Sequence, residues 1–170
     1  MLDNNFSIGI VGLGTVGTAT IKLLEKEIDS INSKSGKKII IKAISSKNFS
    51  KKRDIDLTKY EWEDNPEKLS IRDDIDAVVE LIGGSDGIAK NLAYSAIKNE
   101  KHFITANKAL IAKHGYDLHK SILDTNISIY YEAAVAGAIP IINSVKNGLV
   151  SNNILGIEAI LNGTCNYIMS

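Results

Sequence analysis

A doubly wound α/β fold with a mostly parallel sheet is predicted by three features of the sequence. Short β-branched apolar runs alternate with stretches of helical period, the first run breaks into Gly12-Leu13-Gly14-Thr15-Val16-Gly17, and the run over 75–82 closes on Gly83-Gly84. In a sheet of this class the glycine-rich turns stand at the carboxyl ends of the strands, where ligands bind. The expected division is a dinucleotide-binding domain over 1–150, followed by the first strand of a second, incomplete α+β domain over 151–170.

Composition bounds the function. The 170 residues are 44% hydrophobic, enough for one real core, and no apolar run approaches the ~20 residues of a membrane helix. Lys+Arg and Asp+Glu both number 20, so no global charge points to nucleic acid or to an anionic membrane, and any phosphate recognition must be local. A single cysteine, Cys165, forms no internal disulfide, and the polar start Met1-Leu2-Asp3-Asn4-Asn5 has no signal-peptide core; a cytoplasmic location is expected.

The first strand, Ile8-Gly9-Ile10-Val11, leads into Gly-x-Gly-x-x-Gly and then into residues 18–26, whose apolar positions recur at helical spacing. Gly12 allows the tight turn, Gly14 lets a pyrophosphate approach the backbone, and Gly17 lets the helix sit close to the strand. The free N–H groups of the first helical turn would face the phosphates. Residues 32–37 supply turn chemistry before the second strand, 39–45. The end of that strand would face the adenosine ribose, where a carboxylate would bind a 2′-hydroxyl. Here it carries Ser45-Ser46-Lys47, followed by Lys51, Lys52 and Arg53, which favours NADP over NAD; the alternative is a solvated basic loop. Residues 54–70 show no sustained period and are expected to connect, with Trp62 covering the edge of a core.

The strand over 75–82 would bring Gly83 and Gly84 to the nicotinamide half of a cofactor. Glu80, inside this apolar run, is either edge-facing or a buried, hydrogen-bonded carboxylate. A crossover helix over 89–98 and a strand over 101–105 follow, running into Asn107-Lys108. Lys108, with Thr105 and Asn107 beside it, is placed to hold a carboxyl or hydroxyl group or the cofactor's amide region; the alternative is an exposed lysine opposing a helix dipole. His102, His114 and His119 have no metal-ligand spacing and are expected to be structural or surface residues.

A helix ending near 124 and a strand over 127–131 lead to Glu132-Ala133-Ala134-Val135-Ala136-Gly137-Ala138-Ile139-Pro140. A carboxylate beside exposed carbonyls is able to bind a hard cation. Pro140 suits the first position of a helix over 141–149, and 154–161 read as a further strand that opens another unit, so the chain looks truncated.

Taken together, several stretches resemble homoserine dehydrogenase: the glycine-rich turn, Glu80-Leu81-Ile82-Gly83-Gly84, Thr105-Ala106-Asn107-Lys108-Ala109-Leu110, Tyr131-Glu132-Ala133-Ala134-Val135-Ala136-Gly137, and Leu161-Asn162-Gly163-Thr164-Cys165-Asn166-Tyr167-Ile168. The resemblance implies NAD(P)-dependent interconversion of L-homoserine and L-aspartate 4-semialdehyde, on the route to threonine, methionine and isoleucine. It places the cofactor, NADP with NAD as the alternative, over Gly12, Leu13, Gly14, Thr15, Val16 and Gly17, with Gly83, Gly84 and Thr105 on the nicotinamide side. Ser46 and Lys47 fall where many members carry Ala-Arg, so Lys47 would meet the 2′-phosphate as a point charge instead of a fork. Lys108 matches the family lysine that reaches cofactor and substrate, and Glu132, Val135, Gly137 and Ile139 match a monovalent-cation site for Na+ or K+. The resemblance also implies a homodimer and a second domain that supplies the proton-relay residues. Because Asn162 to Ile168 only begin that domain in the family, the alternative reading is a non-catalytic NAD(P)-binding fragment.

Overall fold

The computed structural model describes residues 4–159. Among these residues a single sheet of six parallel strands has the order β3-β2-β1-β4-β5-β6. The strands are β1 (Asn5–Val11), β2 (Lys38–Ser45), β3 (Glu61–Trp62), β4 (Ala77–Glu80), β5 (His102–Thr105) and β6 (Ile129–Tyr130). The order reverses direction at β1, so the ends of β1 and β4 flank the switch point where doubly wound sheets bind their ligands.

Both faces of the sheet are covered, as the near-continuous apolar strands require. Successive residues of β4 divide between the two sides. Val78 joins Val11, Leu92, Phe103 and Leu110 in one cluster, while Ala77 and Val79 join Ile8, Ile10, Ile21 and Ile44 in the other. Helix α1 (Thr15–Ser35) closes the second side, burying Gly17 and Ile21, a helical pair one turn apart. The first side is closed by α2 (Ile88–Lys98), which buries Ala89, Leu92, Ala93, Ala96 and Ile97, and by α3 (Lys108–Lys120).

Four segments differ from the sequence expectation. Residues 32–35, read as a turn, complete α1, which ends instead at Gly36 in the left-handed conformation (φ 67°) with its N–H on Asn32 O. The segment over 54–70 holds the edge strand β3 between two 3-10 turns, Leu57–Lys59 and Pro66–Ile71; a two-residue strand is too short to show a period. The helix expected over 141–149 is a short α4 (Ile141–Asn143) that widens into a π turn over Ser144–Gly148, with Leu149 N reaching back to Ser144 O. Residues 154–159 form no strand: among the described residues none pairs with them, and Leu155 is 94% exposed. An apolar run becomes a strand only when a ladder satisfies its backbone. Residues 160 and 161 of that expected strand, and Asn162 to Ile168, lie outside the described residues.

Candidate functional site

Between β1 and α1 the chain reverses within a few residues, and each glycine there meets different surroundings. Gly12 has φ +102°, donates its N–H to Ser45 O at 2.8 Å, and would place a Cβ 2.6 Å from the Leu81 backbone. A Cβ on Gly17 would stand 1.8 Å from Gly12 O. Strand and helix therefore pack backbone on backbone, which only glycine permits. Gly14 is the opposite case, since it is exposed and a Cβ on it would have no atom within 4 Å beyond its chain neighbours. It is the N-cap of α1, where among the described residues no side chain caps the helix, and no acidic residue occupies the first turn. The N–H groups of Thr15, Val16 and Gly17 and the positive end of the dipole thus open onto free space above Gly14. A pyrophosphate fits that cradle by charge, by donors and by room.

Beside the turn, Val16, Leu81, Gly83, Gly84, Asn107 and Lys108 line a cleft of about 310 Å³. The structure therefore brings Val16, Gly83, Gly84 and Lys108, far apart in sequence, to one opening. Lys108 is the exposed first residue of α3. Its neighbour Asn107 is the N-cap, accepting from Leu110 N at 3.1 Å while donating to Gly84 O at 2.7 Å. One amide side chain thereby ties the loop after β4 to the start of α3.

Beneath the cleft lies the carboxylate whose setting the sequence left open. Glu80 is fully buried. Its Oε2 accepts from Thr105 Oγ1 at 2.5 Å and its Oε1 from Ile82 N at 2.8 Å, with the Asn107 amide at 3.5 Å. Thr105 Oγ1 in turn accepts from Asn107 N at 2.9 Å. Thr105 is thus buried and serves the cleft through Glu80 and Asn107. Burial pushes the Glu80 carboxyl above the ordinary glutamate range, opposed by the hydrogen bonds from Thr105, Ile82 and Asn107.

A second clamp went unread in the sequence. Asp86 accepts from Lys113 Nζ and Ser85 Oγ at 2.7 Å and faces His114 Nε2 at 3.1 Å, fastening the same loop to α3. Lys113, then Ser85 and His114, hold its carboxyl well below the usual carboxylate range. Only the turn-forming Ser85-Asp86-Gly87 hinted at it, because no spacing rule links Asp86 to residues 113 and 114. The other histidines are elsewhere: His102 Nδ1 accepts from Ser128 N at 3.0 Å, and His119 is exposed on α3.

At the far end of the turn, Leu13 is buried and its carbonyl accepts from the Arg53 guanidinium. Ser46 follows β2 and also meets Arg53, while Lys47 is exposed and makes no ion pair among the described residues. The Glu132 carboxylate accepts from Ile142 N at 2.8 Å and Asn143 N at 2.9 Å, and Ile139 O accepts from Ile141 N at 2.8 Å. Val135 and Gly137 lie in the irregular turn between them, where Ala136 and Ala138 take positive φ of 56° and 68°.

Comparison with known proteins accords with this geometry. The family model described as homoserine dehydrogenase, NAD binding domain, matches residues 12–132, and a second, described as homoserine dehydrogenase, matches 140–170. The chain is 41% identical over 164 residues to the homoserine dehydrogenase of Neisseria gonorrhoeae and 36% identical over 170 residues to that of Bacillus subtilis, covering 96% of this chain in both cases. It spans 37% of the length of each of those relatives. Among solved structures, a homoserine dehydrogenase from Thiobacillus denitrificans superposes with a TM-score of 0.80 at 36% identity, over 87% of this chain and 34% of that one. That of Staphylococcus aureus gives 0.72 at 34% identity, over 78% and 33%. With the NAD-binding model matched over 12–132, a span that holds the glycine-rich turn, the cleft and strands β2 to β6, this chain belongs to the homoserine dehydrogenase family.

Proposed function

We propose that this chain is the NADP-binding portion of a homoserine dehydrogenase, which interconverts L-homoserine and L-aspartate 4-semialdehyde. The observation that carries the reading is the uncapped N-terminus of α1 beneath the open face of Gly14, in a chain of this family. Gly12, Leu13, Gly14, Thr15, Val16 and Gly17 would hold the pyrophosphate, Gly83 and Gly84 would leave room for the nicotinamide, and Thr105 would support that wall from below. The bound nicotinamide supplies the hydride chemistry. Lys108, at the mouth of the cleft, would position substrate and cofactor.

Hydride transfer needs a held substrate as well as a held cofactor. The matched portion is 37% of the relatives' length, so the activity read for these residues alone is binding, and turnover belongs to the whole enzyme. In the same reading, residues 1–150 form the cofactor domain and 151–170 begin the substrate domain, with a cytoplasmic homodimer as the assembly. Glu132 with the carbonyls of Val135, Gly137 and Ile139 is an all-oxygen donor set suited to Na+ or K+. The Glu132 carboxylate would then serve both the cation and the first N–H groups of α4.

Preference for NADP over NAD is read from Ser46 and Lys47, since no carboxylate stands at the end of β2 to repel a 2′-phosphate. Lys47→Glu is expected to weaken NADPH binding by about tenfold or more while changing NADH binding by less than about threefold, as read by cofactor fluorescence titration. Equal losses for both cofactors would show that Lys47 does not meet the phosphate.

A further inference from the structure

Arg53 spans the gap between the glycine-rich turn and the loop that follows β2. Its Nε donates to Leu13 O at 3.1 Å. One terminal nitrogen donates to Lys51 O at 2.8 Å and Phe49 O at 3.4 Å, the other to Asn48 O at 2.7 Å and Ser46 Oγ at 3.1 Å. Every acceptor is a carbonyl or a hydroxyl. None is a carboxylate, and the adjacent Asp54 is engaged by Lys22. Arg53 therefore brings a positive charge that no ion pair among the described residues neutralises to the end of β2.

Two consequences follow from the donor geometry. The guanidinium fork holds the loop over 46–51 against Leu13, so both walls of the space beyond Gly14 are fixed relative to each other. A lysine, whose donors radiate from one atom, cannot bridge acceptors so widely spread. In addition, Ser46 Oγ already accepts from Arg53, which leaves its own proton free to be donated elsewhere.

We infer that Arg53 is a positioning residue for the adenosine 2′ end of the cofactor. It fastens the basic loop to the glycine-rich turn, presents the Ser46 hydroxyl as a donor, and adds charge where a 2′-phosphate arrives. The inference rests on the proposed binding of NADP across Gly14. All guanidinium N–H groups are already engaged, so Arg53 acts through the loop and through its field, and Ser46 and Lys47 make the contacts.

The test is a fluorescence titration of the chain with NADPH and with NADH, for wild type, Arg53→Lys and Ser46→Ala, with melting temperatures recorded alongside. Arg53→Lys keeps the charge and loses the fork; it is expected to weaken NADPH binding about tenfold and NADH binding less than about threefold. Ser46→Ala is expected to lower NADPH affinity a few-fold and leave NADH unchanged. A merely structural role would lower both affinities together and leave their ratio intact. An unchanged NADPH-to-NADH ratio in folded Arg53→Lys overturns the inference alone. If Arg53→Lys does not fold, an unchanged ratio in Ser46→Ala overturns it. Failure of the wild type to bind either cofactor overturns the proposed function, and the inference with it.

Discussion

Gly17→Ala is expected to destabilise the chain by about 3 kcal/mol or more, to lower its melting temperature by roughly 6–12 °C, and to abolish NADPH binding in a fluorescence titration. The new methyl group would lie 1.8 Å from Gly12 O and 2.9 Å from Gly12 C. Both atoms are backbone, so no rotamer change relieves the clash. Gly12 in turn is pinned by its N–H bond to Ser45 O and by the Leu81 backbone behind it. The remaining outlet is withdrawal of α1 from the sheet, which uncovers Ile21 and spreads the N–H groups of the first helical turn. A melting temperature within about 2 °C of wild type would show that the turn is far softer than this packing implies.

Glu80→Ala should be comparably severe, at about 3 kcal/mol of stability by urea unfolding, because it strands the Thr105 hydroxyl and the Ile82 N–H in a buried site and leaves a cavity. Glu80→Gln is expected to cost much less. The glutamine keeps the volume and an acceptor for Ile82, and it also separates the charge from the shape. Since burial raises the folded-state pKa of Glu80, the folded chain holds this proton more tightly than the unfolded chain does. The stability Glu80 contributes is therefore fully present below the ordinary glutamate value and is lost as pH rises through the raised one. Glu80→Gln should remove that segment of the stability profile, so its urea midpoint, compared with wild type across pH 4 to 8 at roughly unit steps, gains relative to wild type as pH rises. A constant difference between the two profiles would show that Glu80 does not titrate abnormally.

Much of the fold is legible in the sequence because the chemistry is local. The turn at Gly12, Gly14 and Gly17, the apolar β4 and the amphipathic α2 each declare themselves within a dozen residues. Other features are not. Edge strand β3 exists only because Glu61 and Trp62 find β2 beside them, and the end of α1 is set by a left-handed Gly36 after four residues that read as a turn. The support for the cleft was equally hidden. Glu80 was conspicuous as a lone carboxylate, yet its partners Thr105 and Asn107 come from the next strand and helix, and Asp86 meets Lys113 and His114 only after the sheet has formed. Arg53 was legible as charge and illegible as a fork, since its acceptors are mainly carbonyls that any sequence would offer.

Cofactor placement at the N-terminus of α1 is tested by NADPH titrations of wild type and Gly14→Ala. A Cβ at Gly14 would meet no atom within 4 Å beyond its chain neighbours, and the residue's extended backbone, φ −79° and ψ −160°, is open to alanine, so the chain is expected to fold; exchanging the N-cap glycine lowers the melting temperature by no more than a few degrees. The methyl group would fill the space that the pyrophosphate must enter. This placement requires saturable NADPH binding by wild type and at least about tenfold weaker binding by a folded Gly14→Ala chain whose melting temperature falls by no more than a few degrees. Equal NADPH binding by the two proteins would contradict it, placing the cofactor somewhere other than the N-terminus of α1.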